Sequence, residues 1–173
     1  MKALVTGGVR SGKSQHAEGL LSEAGAVTYI AAGPTYDDAD WAARVLAHQV
    51  RRPEHWSTVE TVDVPGALRQ AKGAVLIDCL GTWLSALIDE AQLWEAPSGE
   101  INQHVARPAS ALVAAIASHA DAVVVVTNEV GLGVVPEHRS ARLFRDLLGT
   151  LNQQVGQACD QVHLVVAGRV LVL

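Results

Sequence analysis

Residues 7–14, Gly-Gly-Val-Arg-Ser-Gly-Lys-Ser, restrict the fold of this chain more than any other stretch. The spacing Gly7-x-x-x-x-Gly12-Lys13-Ser14 follows a short apolar run, Lys2 to Thr6, and precedes a helical pattern from Lys13 to about Ala24. Strand, Gly-rich turn and helix start, in that order, form a cradle for phosphate. The glycines let the backbone turn tightly, so that the N–H groups of Gly8, Val9, Arg10 and Ser11 point inward. The helix N-terminus adds its partial positive charge. Lys13 is placed to neutralise the β- and γ-phosphates of a nucleoside triphosphate, and the Ser14 hydroxyl to bind Mg²⁺. A Gly-rich turn with an accidental Lys-Ser is the alternative, and the strand and helix on either side argue against it.

The rest of the chain alternates apolar runs with helical patterns. Strands are expected at Val27–Ala31, Trp56–Val62, Ala74–Asp78, Ala122–Thr127, Val162–Ala167 and Val170–Leu173. Helices are expected from Asp37-Asp38 to about Val50, with Pro53 as a stop, and over Pro65–Lys72, Leu80–Leu93, Ile101–His119 and Arg139–Ala158. Pro108 is a possible kink, and Glu95–Glu100 is the most loop-like stretch. Strands of nearly continuous apolar character, separated by helices, indicate a parallel sheet covered on both faces. Neither a repeat nor a linker divides the sequence, so residues 1–173 read as one α/β nucleotide-binding catalytic domain.

A metal-side acid should complete the phosphate site. Asp78 ends a four-residue apolar run, where parallel strands deliver residues to the ligand crevice. It reads either as a Mg²⁺ partner or as a strand-end Asp capping the next helix. On the helix before Pro53, Trp41, Arg44, Val45 and His48 share one face. Gln49, Val50, Arg51 and Arg52 follow. A neutral imidazole beside arginines can contact a phosphate or attack one; by periodicity alone, His48 is a surface or packing residue. The run Asn128–Glu137 leaves the most β-like segment and enters the same crevice. Arg139, Arg142 and Arg145 form a basic stripe, either solvated or aimed at a phosphorylated substrate.

Composition removes several other classes. The net charge of −5 argues against a nucleic-acid or anionic-membrane surface. Cys79 and Cys159 form neither a close pair nor a metal-ligand spacing, so no structural zinc is expected. No apolar run reaches the roughly 18–20 residues of a membrane span. With no leader pattern at its start, the chain is expected in a reducing cytoplasm.

Together these residues resemble one family, the bifunctional adenosylcobinamide kinase / adenosylcobinamide-phosphate guanylyltransferases of cobalamin biosynthesis. The resemblance rests on Leu4 to Ser14, Tyr29-Ile30-Ala31-Ala32, Arg44-Val45-x-x-His48-x-x-x-Arg52-Pro53 and Trp56-x-Thr58-x-Glu60. It continues through Asp78-Cys79-Leu80-x-Thr82-Trp83, Thr127 to Pro136 and Arg142-x-Phe144-Arg145-Asp146-x-x-Gly149-x-x-Asn152-Gln153. It implies a kinase step, in which GTP or ATP phosphorylates the aminopropanol hydroxyl of adenosylcobinamide. It also implies a second step, in which GMP passes from GTP to that phosphate through a guanylyl-histidine and pyrophosphate is released. The nucleophile then falls on His48. Gly7 to Ser14 bind the nucleotide phosphates, with Lys13 catalytic, and Ala31 to Gly33, Gln49 to Arg52, Glu60 and Leu80 are further nucleotide contacts. The resemblance also implies a RecA-like sheet of the P-loop NTPase class and a homotrimer. The chain departs from the family pattern at Asp40-Trp41, at Ala86 and in lacking a terminal Lys. A single-activity small-molecule kinase and a regulatory NTPase are the competing readings.

Overall fold

The computed structural model describes residues 1–33 and 53–173. The expected helix from Asp37-Asp38 to Val50, and with it Arg44, His48, Gln49, Val50, Arg51 and Arg52, lies outside the described residues. The strands are β1 (Lys2–Gly7), β2 (Val27–Ala31), β3 (Ser57–Glu60), β4 (Ala74–Asp78), β5 (Val123–Val126), β6 (Gln161–Val166) and β7 (Arg169–Val172). The helices among the described residues are α1 (Lys13–Gly19), α2 (Val64–Gln70), α3 (Leu80–Glu90), α4 (Ser98–Ser118) and α5 (Arg139–Gln157).

The strands form one sheet in the order β3-β2-β4-β5-β1-β6-β7. All neighbours are parallel except β6 and β7, which form a hairpin. The all-apolar strands are the central ones, as a sheet covered on both faces requires. Val123, Val124, Val125 and Val126 of β5 are all fully buried, alternating between two cores. On one face Leu4, Ile30, Val75, Ile77, Val123 and Val125 pack beneath α2, α3, α4 and α5. The other face sets Val5, Tyr29, Leu76, Val124, Val126 and Val165 against Ala17 and Leu21, at and just beyond α1.

Each long helix turns one apolar stripe inward, at the three- and four-residue spacing that places side chains on one face. In α3 these are Leu80, Trp83, Leu84 and Ile88; in α4, Ile101, Val105, Ala109, Leu112 and Ile116; in α5, Leu143, Leu147, Leu151 and Val155. Full burial of one such aliphatic side chain contributes roughly 1.5–3 kcal/mol. Trp83 is also fully buried, and its indole N–H finds an acceptor in the Val62 carbonyl at 2.8 Å. At the start of α2 the Asp63 carboxylate accepts the Gly66 N–H at 2.9 Å.

Three expectations are corrected. The first helix ends at Gly19, not near Ala24. Beyond it the chain closes i→i+3 turns (Leu21 N–H to Glu18, Ser22 N–H to Gly19, Ala24 N–H to Leu21), consistent with the low helix propensity of Gly19. The loop expected over Glu95–Glu100 is half as long, because α4 begins at Ser98 directly after Pro97. Pro108 lies within α4, and the helix continues past it to Ser118.

Candidate functional site

Parallel strands carry their C-terminal ends to one edge of the sheet, and that edge collects the residues singled out by sequence. The register aligns Glu60 with Ala31, Ala31 with Asp78, Asp78 with Val126 and Val126 with Val5. The phosphate loop begins two residues beyond Val5. A cleft at the opposite edge, lined by Arg69, Lys72, His119 and Asp121, contains none of the motif residues.

Tertiary contacts hold the loop in shape. A Cβ on Gly7 would run into the carbonyl of Val165 on β6 and into Ser11 Oγ, so only glycine fits there. Gly12 has φ +97°, a conformation glycine adopts without strain, and Arg10 takes a left-handed φ of +56°. The Ser11 N–H reaches the Gly8 carbonyl at 3.3 Å, and the Gly168 N–H, from the β6–β7 turn, donates to the Ser11 carbonyl at 2.9 Å. The Glu129 N–H donates to the Gly7 carbonyl at 3.1 Å. Lys13 Nζ folds back over the loop to the Gly8 carbonyl at 3.1 Å.

Two details suit this loop to phosphate. No side chain caps the N-terminus of α1, so the first N–H groups of the helix depend on an external acceptor. The buried Ser11 hydroxyl has no partner among the described residues, an arrangement whose desolvation cost a bound phosphate oxygen offsets.

Asp78 does not cap α3. The N-cap is Cys79, whose N–H lies 3.4 Å from the hydroxyl of Thr82. The Asp78 carboxylate instead accepts the Tyr29 phenol at 3.0 Å. Burial and the adjacent Asp78 charge push the Cys79 thiol up, so it stays protonated and inert. The Thr82 hydroxyl also ties the Ala32 carbonyl to the start of α3 at 2.8 Å. Ala31 to Gly33 therefore lie at the same edge, beside Asp78. Glu60 is exposed at the outer end, on β3. Leu80 is fully buried in the core, so any nucleotide contact from it comes from its backbone.

The basic stripe behaves differently from either sequence reading. Arg139 donates to the carbonyls of Trp94 at 2.6 Å and Ala96 at 2.5 Å. Arg142 donates to those of Pro136 and Glu137, and Arg145 to that of Gly133 at 3.1 Å. The three guanidinia brace two loops. The 131–137 loop thereby held exposes Leu132, Val134 and Val135.

Behind the loop, His16 of α1 meets His163 of β6 at 2.7 Å, Nε2 to Nδ1. His163 Nε2 lies 3.0 Å from Gln161 Oε1, an acceptor, so that nitrogen carries the proton. His163 Nδ1 is then bare, and His16 Nε2–H donates to it. Burial lowers both imidazoles below their ordinary value of 6.5, and the charge of His16 lowers His163 further. The folded state thus binds fewer protons than the unfolded chain. The stability contributed by the pair is complete above about pH 6.5 and is lost as pH falls below that value toward the folded ones. Between about pH 7.5 and 5.5 the melting temperature of the wild type should therefore drop further than that of His163→Phe. Equal slopes would show that the pair does not set the pH response.

Tyr29, Thr82, Gly168 and the Thr127–Asn152 contact escaped assignment from sequence. The Cys79-x-x-Thr82 spacing, typical of a helix start, was the available signal for Thr82. The others depend on contacts between distant segments and left no local trace.

Residues 3–173 match the family described as CobU, cobinamide kinase / cobinamide phosphate guanyltransferase. The chain belongs to that family. It is 42% identical over 178 residues to the bifunctional adenosylcobalamin biosynthesis protein CobU of Escherichia coli K12, covering 97% of each chain. With CobU of Salmonella typhimurium LT2 the identity is 40% at the same coverage. Among solved structures, a prototypical ATPase from the type III secretion system of pathogenic bacteria superposes with a TM-score of 0.60 at 11% identity. That match covers 94% of this chain and half of the ATPase, and it shows the P-loop NTPase fold. The protein is thus a cobinamide kinase / cobinamide phosphate guanyltransferase of the CobU family, using nucleotide substrates on a P-loop sheet. No helix of the described residues is long and apolar enough to cross a membrane.

Proposed function

We propose that residues 1–173 form one catalytic domain that runs both family reactions on adenosylcobinamide. The carrying observation is the phosphate loop, braced by Val165, Gly168 and Glu129, at the sheet edge that also presents Asp78. In the first reaction GTP or ATP is held by the backbone of Gly7–Ser14. Lys13 balances charge on the transferring γ-phosphoryl group, and the aminopropanol hydroxyl receives it. In the second, the neutral His48 imidazole attacks the α-phosphorus of GTP, forming N–P as the bond to pyrophosphate breaks. The phosphate of adenosylcobinamide phosphate then attacks the same phosphorus and releases His48. Gln49–Arg52 and Glu60 complete the nucleotide contacts, with Arg51 and Arg52 balancing phosphate charge.

The half-buried Ser14 hydroxyl and the Asp78 carboxylate are hard oxygen donors, the kind Mg²⁺ takes. Bound there, the ion would spread the charge of the triphosphate. Asp78→Asn keeps an oxygen for the Tyr29 phenol, so the fold should survive. The kinase rate should fall by about 10²-fold, and high Mg²⁺ should restore part of it. Full activity, or a lost circular-dichroism spectrum, would remove Asp78 from the metal side.

The family resemblance further supports a cytoplasmic homotrimer acting on small molecules. The exposed apolar residues of the outer hairpin, Val166 and Val170 to Leu173, are surface that self-association would cover. The test of the two-step reading is covalent labelling by α-labelled GTP. An acid-labile, base-stable label that adenosylcobinamide phosphate discharges is expected. A protein that takes no label leaves the single-activity kinase as the better reading.

A further inference from the structure

We propose that Glu129 is the general base of the kinase step, an inference that rests on the phosphoryl-transfer reading above. The two reactions differ in one chemical requirement. A hydroxyl must lose its proton as it attacks the γ-phosphorus. The phosphate monoester that accepts GMP is already anionic, and a neutral His48 has no proton to lose from its attacking nitrogen. The enzyme therefore needs a base in the first reaction and none in the second.

Among the described residues, the carboxylates at the ends of the strands on the phosphate edge, or directly following them, are Glu60, Asp78 and Glu129. Their distances from the loop follow from strand order. Neighbouring strands lie about 4.8 Å apart. Glu60 on β3 is four strands from β1, roughly 19 Å away, out of reach of a γ-phosphate in the loop. Asp78 on β4 is two strands away, roughly 10 Å, and receives the Tyr29 phenol. Glu129 leaves β5, directly beside β1, and its own N–H is bonded to Gly7 at 3.1 Å.

The position is rigidly held. Thr127 is fully buried, and its hydroxyl donates to Asn152 Oδ1 at 2.6 Å. Asn152 Nδ2 in turn donates to the Asn128 carbonyl at 3.1 Å. Helix α5 thus fixes the backbone on which Glu129 sits. The side chain is half-buried, and Oε1 accepts the Gly131 N–H at 2.6 Å. That bond orients the carboxylate, whose second oxygen has the lone pairs to accept a proton. The imidazoles of His16 and His163 are engaged with each other behind the loop.

The step balances as follows. The hydroxyl proton moves to the Glu129 carboxylate while the hydroxyl oxygen bonds to the γ-phosphorus. The bond from that phosphorus to the β–γ bridging oxygen breaks, and the nucleoside diphosphate leaves with the electron pair. Glu129 then returns the proton to solvent.

The experiment compares wild type with Glu129→Gln in both half-reactions. Gln keeps an oxygen for the Gly131 N–H, so the turn is retained, but it cannot take a proton. Kinase kcat should fall roughly 10²–10⁴-fold. The wild-type kcat should decline at low pH as a carboxylate titrates, and the variant should lack that limb. GMP labelling, and transfer to preformed adenosylcobinamide phosphate, should remain within about twofold of wild type, because neither needs the base. Kinase activity of Glu129→Gln within a few-fold of wild type would overturn the proposal. So would an equal loss of both reactions, which would mark Glu129 as a brace for the loop. A wild type that phosphorylates no corrinoid would instead overturn the kinase reading itself.

Discussion

Lys13→Ala should lower phosphorylation of adenosylcobinamide by roughly 10²–10³-fold while leaving the fold intact. Lys13 Nζ lies over the loop, 3.1 Å from the Gly8 carbonyl. Its charge is therefore at the phosphates before the substrate arrives, and little reorganisation is needed when negative charge shifts in the transition state. A preorganised charge in a partly desolvated site contributes more than the same charge in water. The side chain is not part of the core, and the loop's other braces, from Gly168 and Glu129, do not involve it. Circular dichroism and the melting temperature should stay near wild type while kcat collapses. Lys13→Arg should recover little, because the guanidinium is planar and broader than the compact ammonium. Substantial phosphorylation by purified Lys13→Ala would remove Lys13 from the transition state.

The second large effect is expected at His48. His48→Ala should abolish labelling by α-labelled GTP and reduce guanylyl transfer by roughly 10³-fold or more, as loss of a covalent nucleophile does. Phosphorylation of adenosylcobinamide should persist at least in part, since that transfer needs no histidine adduct. His48→Asn, closer in size, should behave in the same way if nucleophilicity rather than packing matters. A histidine phosphoramidate is labile to acid and stable to base, unlike a linkage to Ser or Asp. Undiminished label on either variant, or GMP placed by mass spectrometry on another residue, would exclude His48 as the nucleophile.

These two predictions and the Glu129 test divide the chemistry in complementary directions. His48 variants should lose GMP transfer and keep phosphoryl transfer. Glu129→Gln should do the reverse. An enzyme that performs two displacements on one phosphate loop can separate them in this way only if each has its own proton logic. A nucleophile of low basicity suffices for one, and a base is required for the other.

Local chemistry carried much of the architecture. The phosphate loop was legible because its requirements are local: a strand end, glycines where side chains do not fit, and a helix start. The covered parallel sheet was legible because its strands read as unbroken apolar runs such as Val123–Val126. Asp78 was legible as a crevice residue because it ends such a run. Periodicity overran at α1, where apolar Leu20, Leu21 and Ala24 continue the helical pattern although the helix ends at Gly19. It also left the purpose of Arg139, Arg142 and Arg145 open, since a basic stripe looks the same whether it meets water, phosphate or carbonyls.

The amino-acid sequence by itself determined that this chain cradles phosphate on a strand–loop–helix unit and belongs with enzymes that transfer it. The tertiary structure alone decided which distant groups share the site. The order β3-β2-β4-β5-β1 puts Glu129 beside the loop, Asp78 one strand beyond β5 and Glu60 at the far side. It likewise joins His16 to His163, 147 residues away, and brings Val165 and Gly168 onto Gly7 and Ser11. The reason is physical. Helix and strand patterns arise from neighbours along the chain, whereas strand order arises from how whole elements bury their apolar faces against one another, and no local spacing encodes that choice.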